Sequence, residues 1–235
     1  MGSVVVATFN IQHGRTEGGS VEPTLLGKAC AELGASVIAL QEVDRCTTRS
    51  GGTDLTALAA EDTGMQSCFG AAMEIEGGEY GNALLVDGDL GDREVVILPQ
   101  TSRYEGAEQR VAVLAHVHTA GETLSVGVTH LDFRPALAEI QLAAVIDVLR
   151  RRPGPHLLMG DLNLPPSVVV PAVEAAGWSA TAGLNTFPLR HPDRTIDYVI
   201  TQGLTVESLH TRILPVGDHR ALVATVTPTS GVTGG

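Results

Sequence analysis

A chain of 235 residues with 43% hydrophobic side chains can bury a substantial core and is too apolar to be disordered. Its 15 Lys and Arg against 27 Asp and Glu leave a net charge of -12, which repels polyanions at a distance and argues against a non-specific nucleic-acid binder. Three cysteines, Cys30, Cys46 and Cys68, without CxxC spacing suggest neither a disulfide framework nor a structural zinc site.

Residues 4 to 10, VVVATFN, read as a first strand that ends on Asn10. No basic n-region or apolar h-region precedes it and no run reaches the ~20 apolar residues of a membrane span, so a cytoplasmic protein is expected. A helix is predicted over 22 to 34, followed by a strand over 36 to 43, SVIALQEV, in which strict alternation would put Ile38, Leu40 and Glu42 on one face. A second helix is predicted over 53 to 62. Strands follow over 80 to 87, 93 to 99, 110 to 118 and 123 to 133, the last containing His130 and Asp132. Residues 135 to 151 read as a helix, with Leu137, Ile140, Ala144 and Val148 at spacings of three and four. The strand over 156 to 163 ends in Asp161 and Asn163, which alternation places on one face; strands over 195 to 201 and 221 to 227 carry Asp197 and follow Asp218-His219. Several strands are nearly continuously apolar, hence covered on both faces, so the expected fold is α/β, two sheets packed together with helices outside. A single domain over 1 to 228 and a flexible tail over 229 to 235 complete that expectation.

Many of these strands end in a residue that can bind metal or move protons. Asp and Asn favour turns, so any single one is most simply a turn residue; the repetition across the whole chain is what suggests a reaction centre at one rim. Glu42, Asn10 and Asp218 are hard oxygen donors suited to Mg²⁺, with Mn²⁺ as a substitute, and His130 and His219 are candidates for proton transfer or phosphate contact. The -12 charge does not forbid a phosphate substrate, because a bound cation reverses the local sign.

The motifs TFNIQ at 8 to 12, LQEV at 40 to 43, YGNALL at 80 to 85, THLD at 129 to 132, GDLN at 160 to 163, IDYV at 196 to 199 and GDHRAL at 217 to 222 occur in one order along nearly the whole chain. Together they resemble the endonuclease/exonuclease/phosphatase superfamily. The resemblance implies a four-layered αββα sandwich of two mixed sheets flanked by helices, and a metal-dependent phosphoric ester hydrolase. It implies that Glu42, Asn10 and Asp218 line the metal and phosphate site, that His219 is the catalytic histidine polarised by Asp197, and that Asp161 orients or deprotonates water. By the same resemblance Asn163 holds a phosphate oxygen, His130 contacts phosphate, and Tyr80, Asn82 and Arg110 support it. Some members carry an acidic residue two places after the Asn; Gln12 stands here, which favours one Mg²⁺ over two. The stretch 185 to 199, NTFPLRHPDRTIDYV, resembles the small bacterial members, and Arg190, His191 and Arg194 are candidates for positive charge beside substrate.

Two other metallohydrolase patterns fail on their motifs: a calcineurin-like site needs an early DxH and a GNH segment, and His116 and His118 lack the rest of an HxHxDH string. With few basic residues and 3% aromatics, a small-molecule or head-group phosphate ester is expected as substrate. Cleavage of DNA or RNA is the alternative, and a non-catalytic binding module on the same fold comes last.

Overall fold

The computed structural model describes residues 2 to 229. Of the tail expected at 229 to 235, all but Thr229 lies outside the described residues. Two six-stranded sheets face each other. The first has the order β11-β12-β1-β2-β4-β3, built from β1 (Val4–Asn10), β2 (Val37–Arg45), β3 (Gln66–Ile75), β4 (Gly78–Val86), β11 (Leu204–Arg212) and β12 (Ala221–Pro228). The second has the order β5-β6-β7-β8-β10-β9, from β5 (Asp89–Ile97), β6 (Val111–Thr119), β7 (Glu122–His130), β8 (His156–Asp161), β9 (Ser179–Ala180) and β10 (Asp197–Gln202).

Each sheet is mixed for the same reason. β1 pairs β2 in parallel and β7 pairs β8 in parallel, while the other neighbours are antiparallel. A parallel pair needs a crossover. Helix α1 (Pro23–Glu32) provides the first and α3 (Pro135–Leu149) the second, with α2 (Leu55–Thr63) and α4 (Pro166–Ala175) completing the outer layers. Three apolar clusters fill the spaces: one between the sheets, one under α1 and α2, and one under α3 and α4. The molecule is therefore the expected αββα sandwich of two mixed sheets.

Alternation sorts each strand between these clusters, and this is what builds the site. In β1, Ala7 and Phe9 face the helices whereas Val4 and Val6 face the other sheet, and that second row continues through Thr8 to Asn10. Leu124, Val126 and Val128 of β7 run inward to His130, Leu157 and Met159 of β8 run to Asp161, and Val199 of β10 leads back to Asp197. The inter-sheet core is thus mostly apolar along its length and polar at one rim.

Glu42 breaks the expected alternation. Ile38 and Leu40 pack under the helices, and so does Val43, three residues on. The register of β2 against β4 shifts between Leu40 and Val43, a β-bulge, and Glu42 takes the left-handed φ of 57°. The extra residue takes Glu42 out of the Ile38–Leu40 row and lets its carboxylate reach Asn10, at the end of the inter-sheet row of β1.

The elements that the sequence does not reveal are edges and one unlikely helix. β3, β9 and β11 lie at sheet edges, half exposed and partly polar, so their apolar period is weak. Helix α4 contains Val168, Val169, Val170 and an internal Pro171, a composition that disfavours a helix, yet Val169 and Val173 are buried four apart against the second sheet. Helix α3 ends at Leu149, two residues earlier than its periodicity predicts, before Arg150, Arg151 and Arg152.

Gly160 marks the tightest approach beside the site: a Cβ there would stand 1.9 Å from the Thr129 carbonyl oxygen on β7. Gly160→Ala is expected to force β7 and β8 apart and to cost roughly 1–3 kcal/mol, the usual range for overpacking. Urea unfolding of the two proteins measures it.

Candidate active site

Asn10 is the junction of the polar rim. Its Nδ2 donates to Glu42 Oε1 at 2.9 Å in the first sheet and to Asp161 Oδ2 at 3.1 Å in the second. Its Oδ1 accepts from the Gln12 backbone N–H at 3.1 Å, at the start of the 3-10 turn Gln12–Gly14. Both amide hydrogens and a lone pair are committed, so the side chain is fixed in one orientation.

Beside it the turn before β12 runs close under β1. Gly217, at φ 82°, makes this approach; a Cβ would lie 2.6 Å from the Asn10 carbonyl oxygen. The turn presents Asp218 and His219. Asp218 accepts from Gln12 Nε2 at 3.0 Å and its side chain is 41% exposed. Its negative charge reaches Glu42, which burial pushes above the usual carboxylate range, against the opposing bond from Asn10. Among the described residues no Lys or Arg forms an ion pair with Glu42; Arg110 and His219 act on it only from a distance. A partly buried carboxylate with, among the described residues, an amide as its only side-chain hydrogen-bond partner, beside a second carboxylate, suits a hard cation.

On the other side stands a tight group. His219 Nδ1 meets Asp197 Oδ2 at 2.8 Å, and Nε2 lies 3.7 Å from Asp161 Oδ2. Asp197 and Asp161 are direct partners in the β10–β8 ladder, and Asp161, Asp197 and His219 offer ligand atoms within 4.8 Å of one another, close enough to hold a metal ion as well. Burial, then the charge of Asp197, pushes Asp161 up to about 7, while His219, Asn10 and the Asn163 N–H oppose the rise. For His219 burial acts to lower the pKa, but the charge and hydrogen bond of Asp197, with the charges of Asp161 and Asp218, push it up to about 10. The imidazole is the counter-cation of this group.

His130 behaves in the opposite way. Burial and the positive charges of Arg110 and His219 hold it well below the usual histidine value, so the ring is neutral. With Nε2 unprotonated, Asn163 Nδ2 donates to it at 3.1 Å and donates also to the Leu131 carbonyl at 3.0 Å. Asn163 lies beyond the end of β8 with φ 53°, its N–H bonded to Asp161 Oδ1 at 3.0 Å. It reaches the same site as Asp161 through this turn, where a continued strand was expected.

The supporting residues divide. Arg110 is buried just before β6, pairs with Glu108 at 3.0 Å and leaves its Nε without a partner; His130 Nδ1 and Asp197 Oδ1 are also buried and unpartnered. Tyr80 is buried beside Arg110, its pKa raised by burial and by Glu42. Asn82 donates to the Val111 carbonyl at 3.0 Å, so its amide ties β4 to β6 across the sheets. Arg194 is exposed and lies over the Phe187 ring at 4.2 Å. Arg190 is paired with Glu17, and Asp132 is turned to Arg134 at 3.0 Å. Phe187, which no sequence pattern singled out, stands against His219 with ring centroids 4.7 Å apart. Its only signal was its place in the Thr-Phe-Pro run.

The His219 pKa carries a stability consequence. The folded protein holds this proton more tightly than the unfolded chain, whose value is the ordinary 6.5; the gain is complete below that pH and is lost as pH rises towards about 10. Metal-free protein is therefore expected to lose stability between pH 7 and pH 10 in urea unfolding, and His219→Gln to flatten that slope.

The model of the Endonuclease/Exonuclease/phosphatase family matches residues 7–220. Similar solved structures include an endonuclease/exonuclease/phosphatase from Beutenbergia cavernae, with 22% identity and a TM-score of 0.79 over 97% of this chain and 72% of that one. The human nocturnin catalytic domain with bound sulfate has 18% identity and a TM-score of 0.70 over 97% and 95% of the two chains. The mannosyl-6-phosphatase Bt3783 of Bacteroides thetaiotaomicron has 12% identity and a TM-score of 0.72 over 95% and 99%. At these identities the likeness is one of fold, and no curated protein matches the sequence. The family match, however, spans every residue of the polar rim, and the chain belongs to the endonuclease/exonuclease/phosphatase family, whose members are phosphoester hydrolases and generally depend on a divalent metal.

Proposed function

We propose that this protein is a Mg²⁺-dependent phosphoesterase that hydrolyses a small-molecule or head-group phosphate ester by in-line attack of water. The observation that carries this is the Asn10 bridge, which holds Glu42 beside the Asp161, Asp197 and His219 group at one rim of the sandwich. Glu42, Asn10 and Asp218 are the residues proposed to hold the ion; the alternative set of Asp161, Asp197 and His219 is already bound together by a proton on the imidazole. When bound, Mg²⁺ supplies Lewis-acid stabilisation of the charge that builds on the phosphate.

The protein's own groups divide the remaining work. Asp161, raised to about 7, is a base matched to neutral pH and is proposed to take the proton of the attacking water. His219, kept protonated by its three carboxylates, directs its Nε2–H to a phosphate oxygen and stabilises it as charge develops. Arg110 and His130 each have a buried nitrogen without a partner, and both are proposed to face the phosphate. Both amide hydrogens of Asn163 are directed to His130 and Leu131, so its proposed part is to orient His130, and a phosphate oxygen would have to displace one of these bonds.

Charge favours the small substrate. Arg190 is neutralised by Glu17, Arg134 by Asp132 and Arg110 partly by Glu108, so of the candidate arginines Arg194 alone stands exposed without an ion pair among the described residues, and one such charge makes no basic track for a polyanion. Bt3783 is named as a mannosyl-6-phosphatase, which fits a compact ester on this fold. One surface favours the nuclease alternative: Phe133 is 61% exposed three residues after His130, with Arg134 over its ring at 4.5 Å, a platform on which a base could stack. Among the described residues no helix is long and apolar enough to cross a membrane.

A Mg²⁺ panel of sugar phosphates, inositol phosphates, nucleotides, sphingomyelin, RNA and plasmid DNA, repeated with EDTA, tests the reading. Turnover of a small ester that EDTA abolishes is expected; rapid plasmid cleavage would move the protein to the nuclease alternative, and turnover indifferent to EDTA would remove the metal. On the active substrate His219→Ala is expected to lower kcat about 10²–10⁴-fold with the fold intact by circular dichroism, and wild-type turnover would overturn its role. Glu42→Gln is expected to weaken Mg²⁺ binding measured by calorimetry.

A further inference from the structure

The position of His219 is under-determined by its hydrogen bonds. Its one close partner is Asp197, at 2.8 Å from Nδ1. The other nitrogen, Nε2, stands between two carboxylates, 3.7 Å from Asp161 Oδ2 and 3.9 Å from Asp218 Oδ1. Both separations exceed hydrogen-bond range, so this N–H is unspent. A small rotation of the ring toward either carboxylate would form a charge-assisted bond and remove the donor from any substrate. The Asp197 bond restrains the ring at Nδ1, and among the described residues no second hydrogen bond fixes where Nε2 points.

Phe187 is placed to resist that rotation. Its ring lies 4.7 Å from the imidazole at an interplanar angle of 55°, a tilted contact within the favourable range for aromatic pairs. The loop that carries it is laced to the turn that carries His219. The Arg220 N–H donates to the Thr186 carbonyl and the Leu189 N–H to the Asp218 carbonyl, each at 2.7 Å. Arg220 Nε donates to the Leu189 carbonyl at 2.9 Å. Phe187 itself bridges Arg194 through the backbone, and the Arg194 guanidinium lies over its ring at 4.2 Å. Ring and imidazole are thus parts of one rigid unit of turn and loop.

We propose that Phe187 is a positioning residue for the reaction proposed above: its ring holds the His219 imidazole so that Nε2 stays unpaired between Asp161 and Asp218, free for a phosphate oxygen. The catalytic consequence rests on the proposed function; the placement of the imidazole rests on geometry alone.

The test compares wild type, Phe187→Leu and Phe187→Tyr by crystal structure and by kinetics with Mg²⁺ and bis(p-nitrophenyl) phosphate. Leucine keeps the apolar bulk without the ring, and tyrosine keeps the ring. In the leucine variant His219 Nε2 is expected to close on Asp161 or Asp218 to below about 3.2 Å. Its kcat is expected to fall about tenfold or more, with KM within about twofold, since displacements near 1 Å cost up to about a hundredfold. The tyrosine variant is expected to retain both the wild-type geometry and kcat. If the leucine variant does not fold, Phe187→Met serves in its place. An unmoved imidazole with wild-type kcat, or a tyrosine variant as impaired as the leucine one, would overturn the proposal; a raised KM at unchanged kcat would assign Phe187 to substrate contact instead. If wild type turns over no phosphate ester, the proposed function fails, while the crystal structures still decide what holds His219.

Discussion

The amide of Asn10 spans the two sheets, and the chemistry of the rim depends on that span. Through one nitrogen it holds Glu42 of the first sheet and Asp161 of the second. Without this donor the buried Asp161 and the partly buried Glu42 would face each other across the sandwich with no hydrogen between them, an arrangement that costs free energy unless one takes up a proton. With it, the carboxylates of Glu42 and Asp161 are tied to one amide nitrogen. The rest of the rim is arranged around this pair: Gln12 ties Asp218 to the same turn, and the Asn163 N–H restrains the second oxygen of Asp161.

The rim is also an electrostatic balance. Glu42, Asp161, Asp197 and Asp218 are four acids in a small volume, and among the described residues only His219 stands between them as a close cation. The imidazole pairs with one oxygen of Asp197 and moderates Asp161, but Glu42 is left with an amide and the more distant charges of His219 and Arg110. The unmet negative charge lies on the side of Glu42, which is where a divalent cation relieves most repulsion. A chain with a net charge of -12 draws such a cation as readily as it repels a polyanion, so composition and site agree.

Positive φ at non-glycine residues occurs at Cys46, Glu76 and Ala120, and three further cases lie at the rim. Gln12, Glu42 and Asn163 all have positive φ without being glycine, and each is joined to the rim by a hydrogen bond. Such conformations persist only where the surroundings over-determine them. The bulge at Glu42 is the clearest case, because an unbulged β2 would have buried a carboxylate beneath α1 and α2 with Ile38 and Leu40.

The sequence by itself pointed to two packed sheets with helices outside, and its ordered motifs, by their resemblance, implied the αββα sandwich and the candidate residues of the rim. Apolar runs covered on both faces, helical periods between them and a polar residue at the end of many strands are local patterns, legible one strand at a time. It did not determine β3, β9, β11 or α4, because edge strands have weak periods and the valines of α4 become helical only when Val169 and Val173 meet the second sheet. Nor could it decide which way Glu42 points, that Asn163 gives its amide to His130, or that Phe187 lies against His219. Those depend on a bulge, a turn and a packed loop, where side-chain direction is set by contacts between segments distant in the chain, and only the tertiary structure contains them.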